Sequence, residues 1–363
     1  MNLEDNNNSD LYYYDNNDLC YYDNNDLCYK FNNGIIFLWS LLLSIFIILL
    51  VIYITYKITI NNFINDFINN FNANFNEDCQ NSPKITYKYS VYIPVENGVY
   101  EKSLANALCE ISQNTTKAEC PNLLPLPNPP TFTNQLRVEG ISPDNGNLTM
   151  YGYIFWNKKE NKVIFVFSGT ALLTQVYSDL DIKQVPPTLL NNYKEGVLVH
   201  SGFYNIYISI RNILWNWWNE NKCWVKTFYI TGHSLGGALS TICGYDFSNV
   251  FKDIKCSNLC NSHTGSNNIK NLPIHYSFAA PRSGNNLYAS CFNKLLKTSI
   301  RVNNTEDIIP QLPPAKIKTF LYEQTTGNVP FTISLGSLVD NHTIAYANNL
   351  PLCSQVAPCY ITT

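Results

Sequence analysis

Residues 228–240, FYITGHSLGGALS, constrain this chain more than any other stretch. Phe228 to Thr231 read as an apolar β-strand, and Ala238 onward reads as the start of a helix. Between them stand Gly232-His233-Ser234-Leu235-Gly236. A strand passes straight into a helix only through a sharp turn whose apex residue takes a strained backbone. Glycines two before and two after the apex leave room for the neighbouring strand and helix. The geometry of such an elbow stands the Ser234 hydroxyl clear above a sheet.

A serine hydroxyl is a weak nucleophile at neutral pH, so an elbow means chemistry only if a base and an orienting carboxylate reach it. In elbow enzymes the chain order is Ser, acid, His. After Ser234 the histidines are His263, His275 and His342. His275 lies in the apolar strand pattern IHYSF and His263 in a Cys/Asn/Ser-rich insert, which leaves His342, in DNHTIAYA, as the natural base. The acid candidates are Asp246, Asp253, Glu306, Asp307, Glu323 and Asp340. SIRVNNTEDIIPQLPP reads as a buried strand, Ser299 to Asn303, running into a polar turn that holds Glu306 and Asp307, with Pro310, Pro313 and Pro314 fixing the outgoing chain. Spacing alone leaves Glu306 and Asp307 equivalent.

Acyl transfer also needs donors aimed at an oxyanion. The backbone N–H of Leu235, immediately after the serine, occupies such a position by the geometry of the turn. Upstream, KVIFVFSGT reads as a strand from Val163 to Phe167 that ends at Ser168-Gly169-Thr170, where a second N–H and a hydroxyl can converge.

The rest of the chain sets the surroundings. Its 363 residues, 45% hydrophobic and 14% charged, suffice for one large core with appendages. A net charge of −3 with 24 Lys and Arg leaves no basic stripe to neutralise phosphates, which argues against nucleic-acid binding. Residues 35–56 carry no charge; as a helix they are about 33 Å long, the thickness of a bilayer's hydrocarbon. A transmembrane helix is therefore expected over 34–57. The acidic segment before it and the length of the run fit a cleaved signal peptide poorly. Residues 1–33 repeat YYDNNDLC at 13–20 and 21–28 and have only scattered leucines as aliphatic residues, too few for a core, so a disordered tail is expected there. Over 58–78, Ile60, Phe63, Ile64, Phe67, Ile68, Phe71 and Phe75 recur at helical spacing and predict an amphipathic juxtamembrane helix or stalk. Residues 79–363 then form the main domain.

Of twelve cysteines, Cys20 and Cys28 precede the span and ten follow it. An even set beyond the membrane predicts disulfides and a luminal or extracellular domain, and sequons at Asn114, Asn147, Asn303 and Asn341 point the same way. Lys30 and Lys57 flank the span one apiece, so charge asymmetry does not orient it. Cys256, Cys260 and His263 suggest a zinc site at first sight, but the remaining ligands of such a site are missing, and a loop disulfide is the better reading. No metal or organic cofactor is expected.

Several collinear segments together resemble the class 3, fungal-type triacylglycerol lipase family: VFSGT at 166–170, SDL at 178–180, VHSGFY at 199–204, TGHSLGGALS at 231–240, FAAPRSGN at 278–285, RVNNTEDIIPQLPP at 301–314 and NHTIAY at 341–346. The resemblance spans roughly residues 140–350. It implies an α/β-hydrolase fold, a mostly parallel central sheet flanked by helices, with Ser234 as nucleophile, His342 as general base and Asp307 as the orienting acid. Asp307 is picked out because the family's carboxylate stands three residues before the proline of its D-x-x-P pattern. Thr170 matches the family's hydroxyl-bearing oxyanion residue, and Leu235 completes the hole. The implied activity is hydrolysis of lipid carboxylic esters at a membrane or lipid surface. The alternatives are a phospholipase A or soluble-ester esterase, or a catalytically silent lipase-like binding module.

Three departures from the family pattern stand out. Ser168 occupies a position usually held by Arg, the stretch Phe247 to Leu272 is long and polar, and Asp307 lies only 35 residues before His342. In the family the loop after the oxyanion residue acts as a lid; here Ala171, Leu172, Leu173, Val176 and Tyr177 supply an apolar patch for one.

Overall fold

Short runs made almost wholly of apolar residues, such as Val163 to Phe167, fit strands buried on both faces, and parallel sheets need such strands. The computed structural model describes residues 20–22, 28–30, 37–59, 62, 100–118, 126–143, 145–169, 183–251, 273–296, 299–347 and 349–350. Its main sheet has seven strands: β3 (Asn134–Ile141), β4 (Leu148–Asn157), β5 (Lys162–Phe167), β8 (Thr227–His233), β9 (Ile274–Phe278), β10 (Ser299–Asn304) and β13 (Asn328–Phe331), in the spatial order β13-β10-β9-β8-β5-β4-β3. The run β13-β10-β9-β8-β5 is parallel, and β4 and β3 close one side as an antiparallel hairpin. All six residues of β5 are buried, as are six of the seven of β8, whereas β3 at the edge is largely exposed. This is the expected mostly parallel α/β architecture.

Parallel neighbours need crossovers, and helices supply them. Helix α3 (Ser201–Asn221) lies between β5 and β8 in the chain, α4 (Leu235–Phe251) follows β8 and α5 (Asn286–Leu295) follows β9. The period of two along β5 sorts its side chains between the two cores: Val163, Phe165 and Phe167 pack with α3, α4 and α5, while Ile164 and Val166 face α2 (Lys102–Lys117). On the first side the rings of Phe165, Trp217, Trp218, Phe228 and Phe247 meet with centroids 4.7 to 5.9 Å apart. Burying each such side chain contributes about 1.5–3 kcal/mol. Smaller pairs complete the domain: β6 (Gln184–Val185) with β7 (Val199–His200), and β11 (Lys316–Ile317) with β12 (Phe320–Leu321).

Two polar groups in these cores have structural duties. Asp246, read from the sequence as a possible acid, is fully buried on α4 and accepts from Arg211 Nε at 2.7 Å and Nη2 at 3.1 Å, Trp215 Nε1 at 2.8 Å, Tyr207 Oη at 2.9 Å and Asn191 N at 3.0 Å. It ties α4 to α3 and to the chain before it. His275 is fully buried between Ser240 Oγ, 3.0 Å from Nε2, and Ser299 Oγ, 2.8 Å from Nδ1. Burial lowers its pKa to about 3, against an ordinary value of 6.5. An unfolded chain protonates this imidazole below about pH 6.5, whereas the native state does not do so until about pH 3. Stability should therefore fall progressively as pH drops through that window. Thermal melts of the wild type and of His275→Gln from pH 7 to 4 check it: the difference between the two melting temperatures should change steadily with acidification, and a constant difference would remove His275 as a cause.

The chain divides into two units, Met1–Phe63 and Ile64–Thr363. In the first, α1 (Phe37–Thr59) is the helix long and apolar enough to cross a membrane among the described residues, with a mean hydropathy of 2.8 over its most apolar window. Its large apolar side chains are exposed all round, a pattern that suits lipid rather than water. Within residues 1–33 the described segments are β1 (Cys20–Tyr22) and β2 (Cys28–Lys30), which pair antiparallel, Tyr21 opposite Tyr29. The eight-residue repeat places Cys-Tyr, residues with good strand propensity, on both sides of an intervening Asp/Asn run of the kind that favours turns.

The cysteine and sequon expectations change too. Cys223 is disulfide-bonded, but Cys109, Cys243 and Cys291 are free thiols, the first two buried. Asn114, Asn303 and Asn341 are buried, and among the four sequons only Asn147, in the β3–β4 turn, is exposed. The stalk from 63 to 78, the cysteines at 256 and 260 with His263, and the lid patch at 171–177 all lie outside the described residues.

Candidate active site

The elbow forms because three close approaches leave no room for a side chain. A Cβ on Gly232 would sit 2.1 Å from the Gly236 carbonyl oxygen, and one on Gly236 would sit 2.2 Å from the carbonyl oxygen of Phe167 on β5. A Cβ on Gly237 would sit 2.7 Å from that of Ala280. The chain therefore turns from β8 into α4 against its neighbours, and Ser234 at the apex takes φ 60°, the left-handed region. Its N–H is held by the carbonyl of Phe278 at 2.9 Å.

Three side chains far apart in the sequence meet here. Ser234 Oγ lies 2.8 Å from His342 Nε2, and His342 Nδ1 lies 2.8 Å from Asp307 Oδ2. Since a carboxylate only accepts, Nδ1 donates to Asp307 and Nε2 accepts from the serine. Asp307 is 1% exposed, whereas Glu306 points to solvent, which separates the two carboxylates that spacing left equivalent. Glu323 is likewise exposed, Asp340 sits in the first turn of α6 (Leu338–His342), and Asp253 is outside the described residues.

The groups that hold this chain of bonds were less visible in the sequence. Asp307 Oδ1 accepts from the N–H of Ile309 at 2.9 Å, and Oδ2 accepts a second bond from Tyr346 Oη at 2.9 Å. Burial, and then the neighbouring Asp307 charge, push the Tyr346 pKa well above its usual value, so its phenol keeps its proton and donates. The same oxygen accepts from the N–H of Asn304 at 2.8 Å. Asn304 and Asn341 then staple the acid loop to the histidine loop. Asn304 Nδ2 donates to the carbonyls of Ile333 at 2.8 Å and Asn341 at 3.1 Å, and Asn341 Nδ2 donates to the Glu306 carbonyl at 3.3 Å. His233, the residue before the serine, has its Nε2 2.8 Å from the His342 carbonyl and must donate to it. Burial, with the charge of His342 second, holds its pKa well below the ordinary imidazole value, so it stays neutral.

Tyr346→Phe would strip one donor from Asp307 and leave the buried Asn304 N–H without its acceptor, a loss of about 1–3 kcal/mol. The expected result is a kcat for ester hydrolysis about tenfold lower, the equivalent of roughly 1.4 kcal/mol in the barrier, with KM unchanged. Steady-state kinetics on a short-chain ester check it, and an unchanged kcat would confine Tyr346 to packing.

For the oxyanion, Leu235 opens α4, so its N–H is among the first-turn amides that have no acceptor within the helix. Thr170 lies just outside the described residues, but the strand end that leads to it is anchored in an unexpected way. Ser168 N donates to the Tyr151 carbonyl at 2.9 Å, and Gly169 N donates to Thr116 Oγ1 on α2 at 2.9 Å. Next to Ser168, where the family pattern has an arginine, this chain ties the strand end to α2. The same helix reaches the histidine loop, since Gln113 Nε2 donates to the Thr343 carbonyl at 2.9 Å. Among the described residues, no group of three or more His, Cys, Asp or Glu side chains is placed to hold a metal.

Residues 164–317 match the sequence profile of the family described as Lipase (class 3). The chain is 28% identical over 191 residues to a chloroplastic phospholipase A(1), DAD1, of Arabidopsis thaliana, covering 48% of this chain and 37% of the relative. It is 29% identical over 163 residues to a lipase of Rhizomucor miehei, covering 43% and 39%. The alignments thus span less than half of these relatives' own lengths. Among solved structures, the native Rhizomucor miehei lipase propeptide complex superposes with a TM-score of 0.46 at 18% identity, over 68% of this chain and 75% of the other.

Proposed function

We propose that this chain, whose residues 164–317 match the class 3 lipase family, is a membrane-tethered serine hydrolase of lipid carboxylic esters. One observation carries the reading: a continuous run of hydrogen bonds, each 2.8 Å, from Ser234 through His342 to Asp307 at the carboxyl edge of a parallel sheet. Ser234 Oγ attacks the ester carbonyl as His342 Nε2 takes its proton, and Asp307 steadies the imidazolium that results. The N–H of Leu235, with Thr170 as its partner, receives the charge that develops on the carbonyl oxygen. His342 then protonates the departing alcohol. Water, activated by the same imidazole, cleaves the acyl-serine and frees the acid.

Substrate class and location follow from the surroundings. α1 tethers the catalytic unit to a bilayer as a single-pass anchor, and a tethered enzyme meets its esters at a lipid surface. Glycerolipids and phospholipids are the substrates, in keeping with relatives whose names read lipase and phospholipase A(1). The exposed sequon at Asn147 and the disulfide-bonded Cys223 support a luminal or extracellular domain.

The test is covalent labelling. The full chain in detergent is treated with a fluorophosphonate probe and digested, and the modified peptide is sequenced. Labelling at Ser234 that matches loss of activity on long-chain glycerides and phospholipids supports the reading. A fully active, unlabelled enzyme would overturn it, and a labelled enzyme active only on soluble short-chain esters would move it to an esterase.

A further inference from the structure

We propose that Arg301, with Arg282 and Ser277, forms an anion-binding site for a phosphate group, separate from the serine chemistry. Arg301 lies on β10 opposite Ser277 on β9, so the two side chains share one face of the sheet. Arg301 is only 9% exposed and Ser277 is fully buried. A guanidinium has five N–H donors. That of Arg301 makes one hydrogen bond, Nε to the carbonyl of Thr325 at 3.2 Å, and no carboxylate lies within ion-pair distance of it among the described residues. Ser277 Oγ is buried with no partner, and on the same face Asn303 Oδ1 has none either, although Asn303 Nδ2 donates to Asn328 Oδ1 at 2.6 Å.

A second cation makes this arrangement harder to explain as structural. Half-buried Arg282, four residues beyond β9, donates to the carbonyls of Gln311 and of Pro313, the latter at 2.7 Å, and to Gln311 Oε1 at 3.4 Å. Arg282 and Arg301 repel: burial first, and then the charge of Arg282, lower the Arg301 pKa to about 10. The acids that act on Arg301 are Tyr346, which also donates to Asp307, and the exposed Glu323, which acts on Arg282 as well; neither pairs with a guanidinium. Buried charges are ordinarily paired. Here one positive charge in excess, unused guanidinium donors on Arg301 and an unpartnered hydroxyl on the residue opposite it belong to the same face of neighbouring strands, near their carboxyl ends. Planar guanidinium forks match the oxygens of a phosphate, supplied either as the free ion or as a phosphorylated headgroup.

Binding is read without ester hydrolysis, so the result stands apart from the role of Ser234. The full chain in detergent is melted and titrated calorimetrically with inorganic phosphate and with glycerol 3-phosphate, against sodium chloride at matched ionic strength. Saturable binding and a rise in Tm of a few degrees beyond the chloride control are expected. Arg301→Gln should abolish the effect. If that variant fails to fold, Arg282→Gln and Ser277→Ala should each weaken binding at least tenfold. Tighter binding of the free ion would assign the site to phosphate itself, and tighter binding of glycerol 3-phosphate to a headgroup. No difference from chloride, or unchanged affinity in folded Arg282→Gln, would overturn the proposal.

Discussion

Ser234→Ala is expected to lower kcat for ester hydrolysis by about 10⁶-fold, the scale on which a serine triad fails when its nucleophile is removed. The change deletes one hydroxyl and one hydrogen bond, that to His342 Nε2. The backbone strain at φ 60° is common to serine and alanine, so the fold loses little. His342 keeps its bond to Asp307, and the Leu235 N–H keeps its place at the head of α4. The melting temperature should stay within a few degrees of wild type while KM changes little. Residual turnover of about 10³–10⁴ over water would remain from the oxyanion donors and binding. Because the three residues act as a unit, adding His342→Ala to Ser234→Ala should cost almost nothing more. Steady-state kinetics on a chromogenic ester beside a thermal melt make the measurement. A folded variant within tenfold of wild type would remove Ser234 from the mechanism.

These positions were readable in the sequence because each is tied to a local constraint. The elbow needs glycines at fixed offsets, and the strand before it needs an unbroken apolar run. The acid needs a strand end, and chain order leaves His342 as the natural base. The distinction between Glu306 and Asp307 is different in kind, since it depends on which way one turn faces, and that is fixed by Tyr346 and by the N–H of Ile309. Asn304 and Asn341 were hidden for another reason. In a chain so rich in asparagine, two that staple the loops look like all the others, and Asn341 even reads as a glycosylation sequon. Helix α2 was not read from the sequence although Leu104, Leu108 and Ile111 recur at helical spacing on its buried face, where Ser112, Asn114 and Thr115 are buried beside them. Its hydroxyls nonetheless anchor the strand end beside the elbow.

Asp246 was the acid candidate whose duty lay elsewhere, and its removal should give the largest loss of stability. Asp246→Ala would leave the Arg211 guanidinium, 17% exposed, without its carboxylate, and would orphan the donors of Tyr207, Trp215 and Asn191. Removing one partner of a buried pair typically costs about 3–5 kcal/mol, because the remaining charge stays buried. In a domain of this size that corresponds to a fall in Tm of roughly 10 °C or more. The active site should be spared: Asp246 stands twelve residues beyond Ser234 along α4, about 18 Å at 1.5 Å per residue. At a temperature where the variant is folded, kcat should therefore match wild type. Replacing both charges by apolar residues of similar size, Asp246→Leu with Arg211→Met, should recover much of the loss, since no buried cation is then left unpaired. Thermal melts of the single and double variants, with kinetics below both transitions, measure the coupling. A single variant that melts with the wild type would show that the carboxylate carries no structural load. One that stays folded but loses turnover would instead bring Asp246 back toward the chemistry.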